Sequence, residues 1–164
     1  MTRHIDEGRI QSEWTDGFWK QRWDVCRDHM IPHMWKVLAD KDLSHCWENF
    51  LIAAGEAEGE HEGPPFWDGD LYKWLEAAIR VYGHSQNQEW LDRIESIIDI
   101  IDRIQRDDGY IFTYSAIQSR NDDNYEALGN DLNFEMYNLG HLMTAAVVHY
   151  LSLIHISEPT RPSP

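Results

Sequence analysis

Side chains able to do chemistry gather at two places in this sequence. Glu135, Tyr137, Asn138 and His141 interrupt an otherwise apolar stretch from Phe134 to Tyr150. Polar groups on an apolar helix need hydrogen-bond partners or a task. Phe134, Asn138, His141 and Ala145 recur at steps of four, three and four, which is one stripe of a helix. Glu135 and His141 are therefore candidate ligand contacts, although a hydrogen-bonded core histidine is the commoner fate of a lone His on a helix. The second place is Asp68-Gly69-Asp70, just before a helical pattern. Carboxylates there accept backbone N–H bonds and complement the helix dipole. Capping accounts for Asp70, while Asp68 is placed to take hydrogen bonds from ligand hydroxyls if the loop faces an open site. Lys73 and Glu76, one turn along, pair or face solvent. Cys26 and Cys46 stand twenty positions apart with no CxxC and no His at a metal-ligand interval, so the chain itself offers no zinc site. A disulfide between them stays open on sequence grounds.

The elements that position these groups read as helices. Phe18, Trp19, Trp23, Cys26, Met30, Met34, Trp35 and Leu38 recur mostly at three and four, one amphipathic helix or two in line, with Pro32 ending or kinking it. GEAEGEHEGPP, from Gly55 to Pro65, is an acidic, Gly-rich surface loop. Leu71, Trp74, Leu75, Ala78, Ile79 and Tyr82 mark a second helix, with Asp70 at its start and Gly83 at its end. Trp90, Ile94, Ile97, Ile98, Ile101 and Ile104 make a stripe on a third. The short link between them dictates an antiparallel hairpin. Asp107, Asp108 and Gly109 form a turn, Tyr110 packs, and a polar segment to Asn130 reads as an extended loop. A fourth helix runs from Phe134 to Tyr150. No strand and no internal repeat emerges.

Composition narrows the function classes. The 164 residues are 42 % apolar, enough for one packed domain. A net charge of -15 with only 14 Lys and Arg excludes nucleic acid and anionic membrane as partners, since phosphate binding needs clustered cations. Neutral or cationic ligands fit better. Eight Trp, seven Tyr and five Phe can fill an interhelical core or offer flat faces to sugar rings. No apolar run reaches the length of a signal peptide core or a membrane span. With Met1 as the native start, this reads as a cytoplasmic product.

The last fourteen residues, LSLIHISEPTRPSP, continue no helical face. LSLIHISEPTR matches, residue for residue, the in-frame translation of a widely used transposase sequencing adapter. Residues 151–164 are therefore expected to be a non-native tail, and 1–150 the amino-terminal part of a longer catalytic domain.

Four segments in order are similar to glycoside hydrolase family 127: GFWKQRWDVCRDHMIPHMW (17–35), NFLIAAGEAEGEHEG (49–63), FWDGDLYKWLEAA (66–78) and IQRDDGYIFT (104–113), with NFEMYNLGHLMTAAVVHY (133–150) as a fifth. The resemblance implies an all-α fold, the first helix hairpins of an (α/α)6 barrel of the six-hairpin glycosidase type. It implies a retaining, exo-acting parent enzyme that releases L-arabinofuranose or related sugars from plant glycans. By resemblance the nucleophile is a zinc-bound cysteine thiolate and the acid/base a glutamate, all downstream of the segments present here. The chain itself is then expected to be inactive and to hold no cofactor.

The same resemblance gives Asp68, Glu135 and His141 a substrate-binding reading and leaves no catalytic residue in the chain. Several family members have a substrate-contacting His immediately before the Glu of the EMYNLGHL motif. Phe134 stands there instead and removes one hydrogen bond to the sugar. Two alternatives remain open: a helical-barrel hydrolase or lyase acting on uronic acid sugars, and a non-catalytic helical binding module. An arc of hairpins lacking its neighbours leaves apolar stripes such as Trp90–Ile104 or Phe134–Val148 partly uncovered, so self-association is expected.

Overall fold

The computed structural model describes residues 14–120 and 127–154, and among them every regular element is helical. Helix α1 (Gly17–Val25) and α2 (Ile31–Ala39) are joined by a π-helical turn over Cys26–Met30. The cause is Pro32, which has no N–H to give and whose ring would crowd the carbonyl four residues back. Widening one turn relieves both, and the Ile31 N–H reaches back to the Cys26 carbonyl. Of the two sequence readings, one helix or two in line, the structure takes neither wholly: α1 and α2 form one rod with a bulge. α1 buries no residue completely, whereas α2 buries Ile31 and Leu38.

Helix α3 (Cys46–Ala54) is absent from the periodicity reading. Its nine residues are too short and too evenly apolar to show a stripe. Gly55 ends it with φ 81°, and the Gly55 and Glu56 N–H groups close back onto Ile52 and Leu51.

Helix α4 (Trp67–Ser85) is the centre of the core, with Leu71, Tyr72, Leu75, Ala78, Ile79 and Val81 all buried. Both expected boundaries move. The helix begins ahead of Asp70, which sits inside the first turn and pairs with Lys73 at 2.6 Å, so it complements the dipole without capping. At the other end it passes through Gly83 and stops at Gln86, whose φ is 51°. The Gln86 side chain then donates to the Gly83 carbonyl at 3.1 Å.

Helix α5 (Gln88–Ile104) follows after two residues and forms the expected hairpin with α4. Asn87 caps it by accepting the Glu89 N–H at 2.8 Å. Its isoleucine stripe does not stay uncovered: Ile94, Ile97, Ile101 and Ile104 are buried, because α3 packs on the side that α4 leaves open. The stretch after Gly109 contains a short helix, α6 (Thr113–Gln118), where an extended loop is expected. Ile111 and Phe112, just before it, and Thr113, its first residue, are buried.

Helix α7 (Glu135–Ile154) runs along α4 and makes the most extensive helix contact among the described residues. Phe134, expected as its first residue, stands just outside it in the left-handed region (φ 57°). The helix continues four residues past Tyr150. Residues 155–164 of the expected tail lie outside the described residues.

Candidate functional site at the starts of α4 and α7

The starts of α4 and α7 meet, and the polar residues singled out by sequence collect around that meeting. Gly69 permits it. A Cβ there would stand 2.6 Å from Asn138 Oδ1 and 3.0 Å from a Tyr137 ring carbon. Asn138, 2 % exposed, fills the space with hydrogen bonds: its Oδ1 accepts the Gly69 N–H at 3.0 Å and its Nδ2 donates to the Pro65 carbonyl at 2.9 Å. One amide thus ties α7 to the first turn of α4.

Asp68 points the other way, into the core. Its carboxylate accepts the Thr113 N–H at 2.8 Å and the Thr113 hydroxyl at 2.6 Å, and both residues are buried. Burial pushes its pKa up to about 6, against the two Thr113 bonds that pull it down. The expected open-site carboxylate is therefore one whose oxygens already hold the start of α6. On the exposed side, Lys73 bridges Asp70 and the Tyr137 hydroxyl, at 2.6 and 3.0 Å. Its pKa is raised, first by the Asp70 bond. Glu76 pairs instead with Arg80 at 2.7 Å.

Glu135 is buried although it opens α7. Its Oε2 accepts the Tyr110 hydroxyl at 2.6 Å and the Leu128 N–H at 2.9 Å. Tyr110, read as packing, is thus also a hydrogen-bond donor. The other oxygen, Oε1, is shielded from solvent and has no partner among the described residues. A buried carboxylate oxygen without a donor is costly, so the partner of Oε1 has to come from outside the described residues. His141 is half-buried, its ring edge-on to Tyr137 at 4.6 Å. Phe134 and Phe66 form a T-shaped pair at 5.7 Å, and Phe134 meets Tyr137 at 6.3 Å. A hydrogen-bond acceptor, an imidazole and a half-exposed aromatic wall therefore sit along one helix start. That combination suits a polyhydroxylated ring: C–H faces lie on aromatics and hydroxyls donate to carboxylate.

A family model described as the beta-L-arabinofuranosidase GH127 catalytic domain matches residues 11–153. The chain belongs to glycoside hydrolase family 127. It is 31 % identical over 155 residues to the non-reducing end beta-L-arabinofuranosidase of Bifidobacterium longum, a match covering 83 % of this chain and 23 % of that protein. Among solved structures it is similar to a GH127 beta-L-arabinofuranosidase from Geobacillus stearothermophilus T6. There the TM-score is 0.77 and the identity 36 %, over 85 % of this chain and 22 % of that one. A second solved GH127 beta-arabinofuranosidase gives a TM-score of 0.73 at 30 % identity, over 85 % and 23 % of the two chains. The GH127 chain thus spans less than a quarter of these relatives, and its helices are the first hairpins of an (α/α)6 barrel.

No three metal-ligating side chains converge among the described residues. Cys46 is buried with its thiol against the Trp67 carbonyl at 3.2 Å, and burial drives its pKa upward, away from the thiolate that a metal requires. Cys26 and Cys46 are both free. No described helix is long and apolar enough to cross a membrane.

The sequence reading marked Asn138 as one of a stripe and as a polar group in need of partners or a task, but named no partner; the structure supplies Gly69 and Pro65. No local pattern supplies the pairing, because Gly69 and Asn138 lie 69 residues apart.

Proposed function

We propose that this chain is the amino-terminal arc of the catalytic barrel of a glycosidase that releases terminal L-arabinofuranose or a related sugar from plant-type glycans. Its carbohydrate substrate is inferred from family membership. The observation within the chain that favours this reading is Glu135: a buried carboxylate at a helix start, with one oxygen lacking a donor among the described residues, beside half-exposed aromatics. We assign Glu135 and His141 as substrate contacts. Asp68 is a positioning residue that acts through Thr113. The cysteine nucleophile, its zinc and the acid/base glutamate belong, on this reading, to the remainder of the intact parent.

Phe134 sets the specificity expectation. Where family members by resemblance offer an imidazole, this chain offers a phenyl edge backed by Phe66. The sugar loses a hydrogen bond on that side and meets an apolar wall. Replacing a buried polar contact by an apolar one shifts preference towards analogues lacking the matching hydroxyl.

The test is hydrolysis of aryl L-arabinofuranosides by the product of the unbroken gene and by this chain. The intact protein should release the aryl group and this chain should not. Turnover by the purified chain, or none by an intact protein that is folded and zinc-loaded, contradicts the proposal.

Isolated, the chain is also proposed to self-associate through α7. Met136, Met143, Val147 and Tyr150 are 57–66 % exposed at helical spacing, and no Lys, Arg, Asp or Glu follows Glu135 on that helix. A helix apolar nearly all round is a buried one.

A further inference from the structure

We propose that Tyr137 is a further sugar contact that donates its hydroxyl proton to a ligand oxygen, and that Lys73 and Asp70 position this donor and set the site for a neutral sugar over a uronic acid. The carbohydrate class of the ligand rests on the glycosidase reading proposed above. Lys73 Nζ stands 3.0 Å from the Tyr137 hydroxyl. An ammonium has three protons and no lone pair, so Lys73 donates and the phenol oxygen accepts. The phenol's own proton is thereby left for another acceptor, and none stands within hydrogen-bond reach among the described residues. Tyr137 is 45 % exposed, so a ligand can reach it.

The donor is held in place before a ligand arrives. α7 brings Tyr137 against the first turn of α4, where a Cβ on Gly69 would stand 3.0 Å from the ring. His141 meets the ring edge-on at 4.6 Å, and Lys73 Nζ lies 5.4 Å from its centroid. Neighbours from both helices thus hold the side chain, and a preset donor binds at lower entropy cost. Phe134, one residue before Glu135, packs on the same ring at 6.3 Å. The start of α7 therefore offers Glu135 Oε1 as an acceptor and Tyr137 as a donor. A sugar carries hydroxyls that donate and accept in turn, and so answers both.

Lys73 does not make this site cationic. Asp70 lies 2.6 Å from the same ammonium, and both side chains are part-exposed. The Asp70 bond is the first cause of the raised Lys73 pKa, so the lysine stays protonated and its charge stays matched. A carboxylate on an incoming sugar would have to compete with Asp70 for that cation. A neutral sugar meets no such competition and uses the Tyr137 proton instead.

The experiment is saturation-transfer NMR on the 164-residue chain with methyl L-arabinofuranoside and methyl D-galacturonoside as probes, alongside Tyr137→Phe and Asp70→Asn variants whose helicity is checked by circular dichroism. The parent chain should bind the neutral sugar more tightly than the uronate. Tyr137→Phe keeps the ring but has no proton to give, and should weaken the neutral sugar by about fivefold or more, as expected for one lost hydrogen bond. Asp70→Asn unpairs the Lys73 charge with little change of shape, and should raise uronate affinity by about fivefold while leaving the neutral sugar within about twofold. A purely structural role would lower both sugars together and leave their ratio unchanged. Binding of neither sugar, tighter binding of the uronate by the parent chain, unchanged neutral affinity in Tyr137→Phe, or an unchanged ratio in Asp70→Asn overturns the proposal. Should Tyr137→Phe not fold, the Asp70→Asn ratio still decides. None of these readouts needs turnover, so their failure leaves the hydrolysis test of the intact parent standing, and failure of that test leaves the sugar preference of this chain measurable.

Discussion

Replacing Gly69 by alanine sets two effects of opposite sign against each other. Gly69 is the third residue of α4, and even the full preference of an interior helix position for alanine over glycine is only about 0.5–1 kcal/mol. On propensity alone Gly69→Ala should stabilise. The new methyl, however, would stand 2.6 Å from Asn138 Oδ1 and 3.0 Å from the Tyr137 ring. Asn138 cannot retreat without losing its bonds to the Gly69 N–H and the Pro65 carbonyl, both at a buried position. Two such bonds are worth roughly 1 kcal/mol each, and a buried group left unpaired costs about 1–3 kcal/mol more. The net expectation is a loss of about 2–4 kcal/mol. Urea unfolding followed by circular dichroism at fixed chain concentration reads this as a lower midpoint with an unchanged slope. Asn138→Ala removes the obstruction, so the double variant should be less destabilised than the two single losses added together. A Gly69→Ala chain as stable as the parent sequence, or more so, would refute the close-approach argument.

Further outcomes follow from the same contacts. Asp68→Asn retains partners for Thr113 and should cost far less than Asp68→Ala, for which about 2–3 kcal/mol is expected from stranding the buried Thr113 donors. With its pKa raised from 3.8 to about 6, Asp68 holds its proton more tightly when folded, so its contribution is full below pH 4 and is lost as pH rises through 6. The stability of the parent chain relative to Asp68→Asn should therefore fall by roughly 3 kcal/mol between pH 4 and 7, and a rise would reverse the sign of the argument. Tyr110→Phe deletes the 2.6 Å donor to Glu135 and should lower the unfolding free energy by about 1–2 kcal/mol in the same urea titration. Met143→Glu with Val147→Glu, both on the exposed face of α7, should convert associated chains to monomers in sedimentation velocity; an unchanged mass distribution would place the contact elsewhere.

Strong stripes made α4 and α5 legible in the sequence, because four or more large apolar residues repeat at helical spacing in each and little else competes. Shorter elements did not carry that signal. α3 and α6 hold nine and six residues, and their identity depends on what folds over them. Glycine was a poor guide to helix ends: Gly83 lies within α4, and the left-handed stop fell to Gln86, while Gly55 does end α3. The isoleucine stripe was expected to stay partly uncovered for want of neighbouring hairpins; α3, which the periodicity did not show, covers it.

At the candidate site the residue types were legible and their directions were not. Asp68 reads as a helix-start carboxylate from its neighbours alone. That it turns inward depends on Thr113, 45 residues later, arriving with two donors. Glu135 likewise needs Tyr110 and Leu128 from separate segments before one oxygen is satisfied and the other isolated. Long-range pairing of this kind is set by tertiary packing, which single-sequence periodicity does not contain.

A crystal structure of the intact protein soaked with L-arabinose tests the assignment of Glu135 most directly. A sugar hydroxyl within hydrogen-bond distance of Glu135 Oε1, with the ring edge against Phe134 and Tyr137, is the expected result. A sugar bound in the barrel with Glu135 still closed on Tyr110 and Leu128, and no contact to its free oxygen, would contradict it.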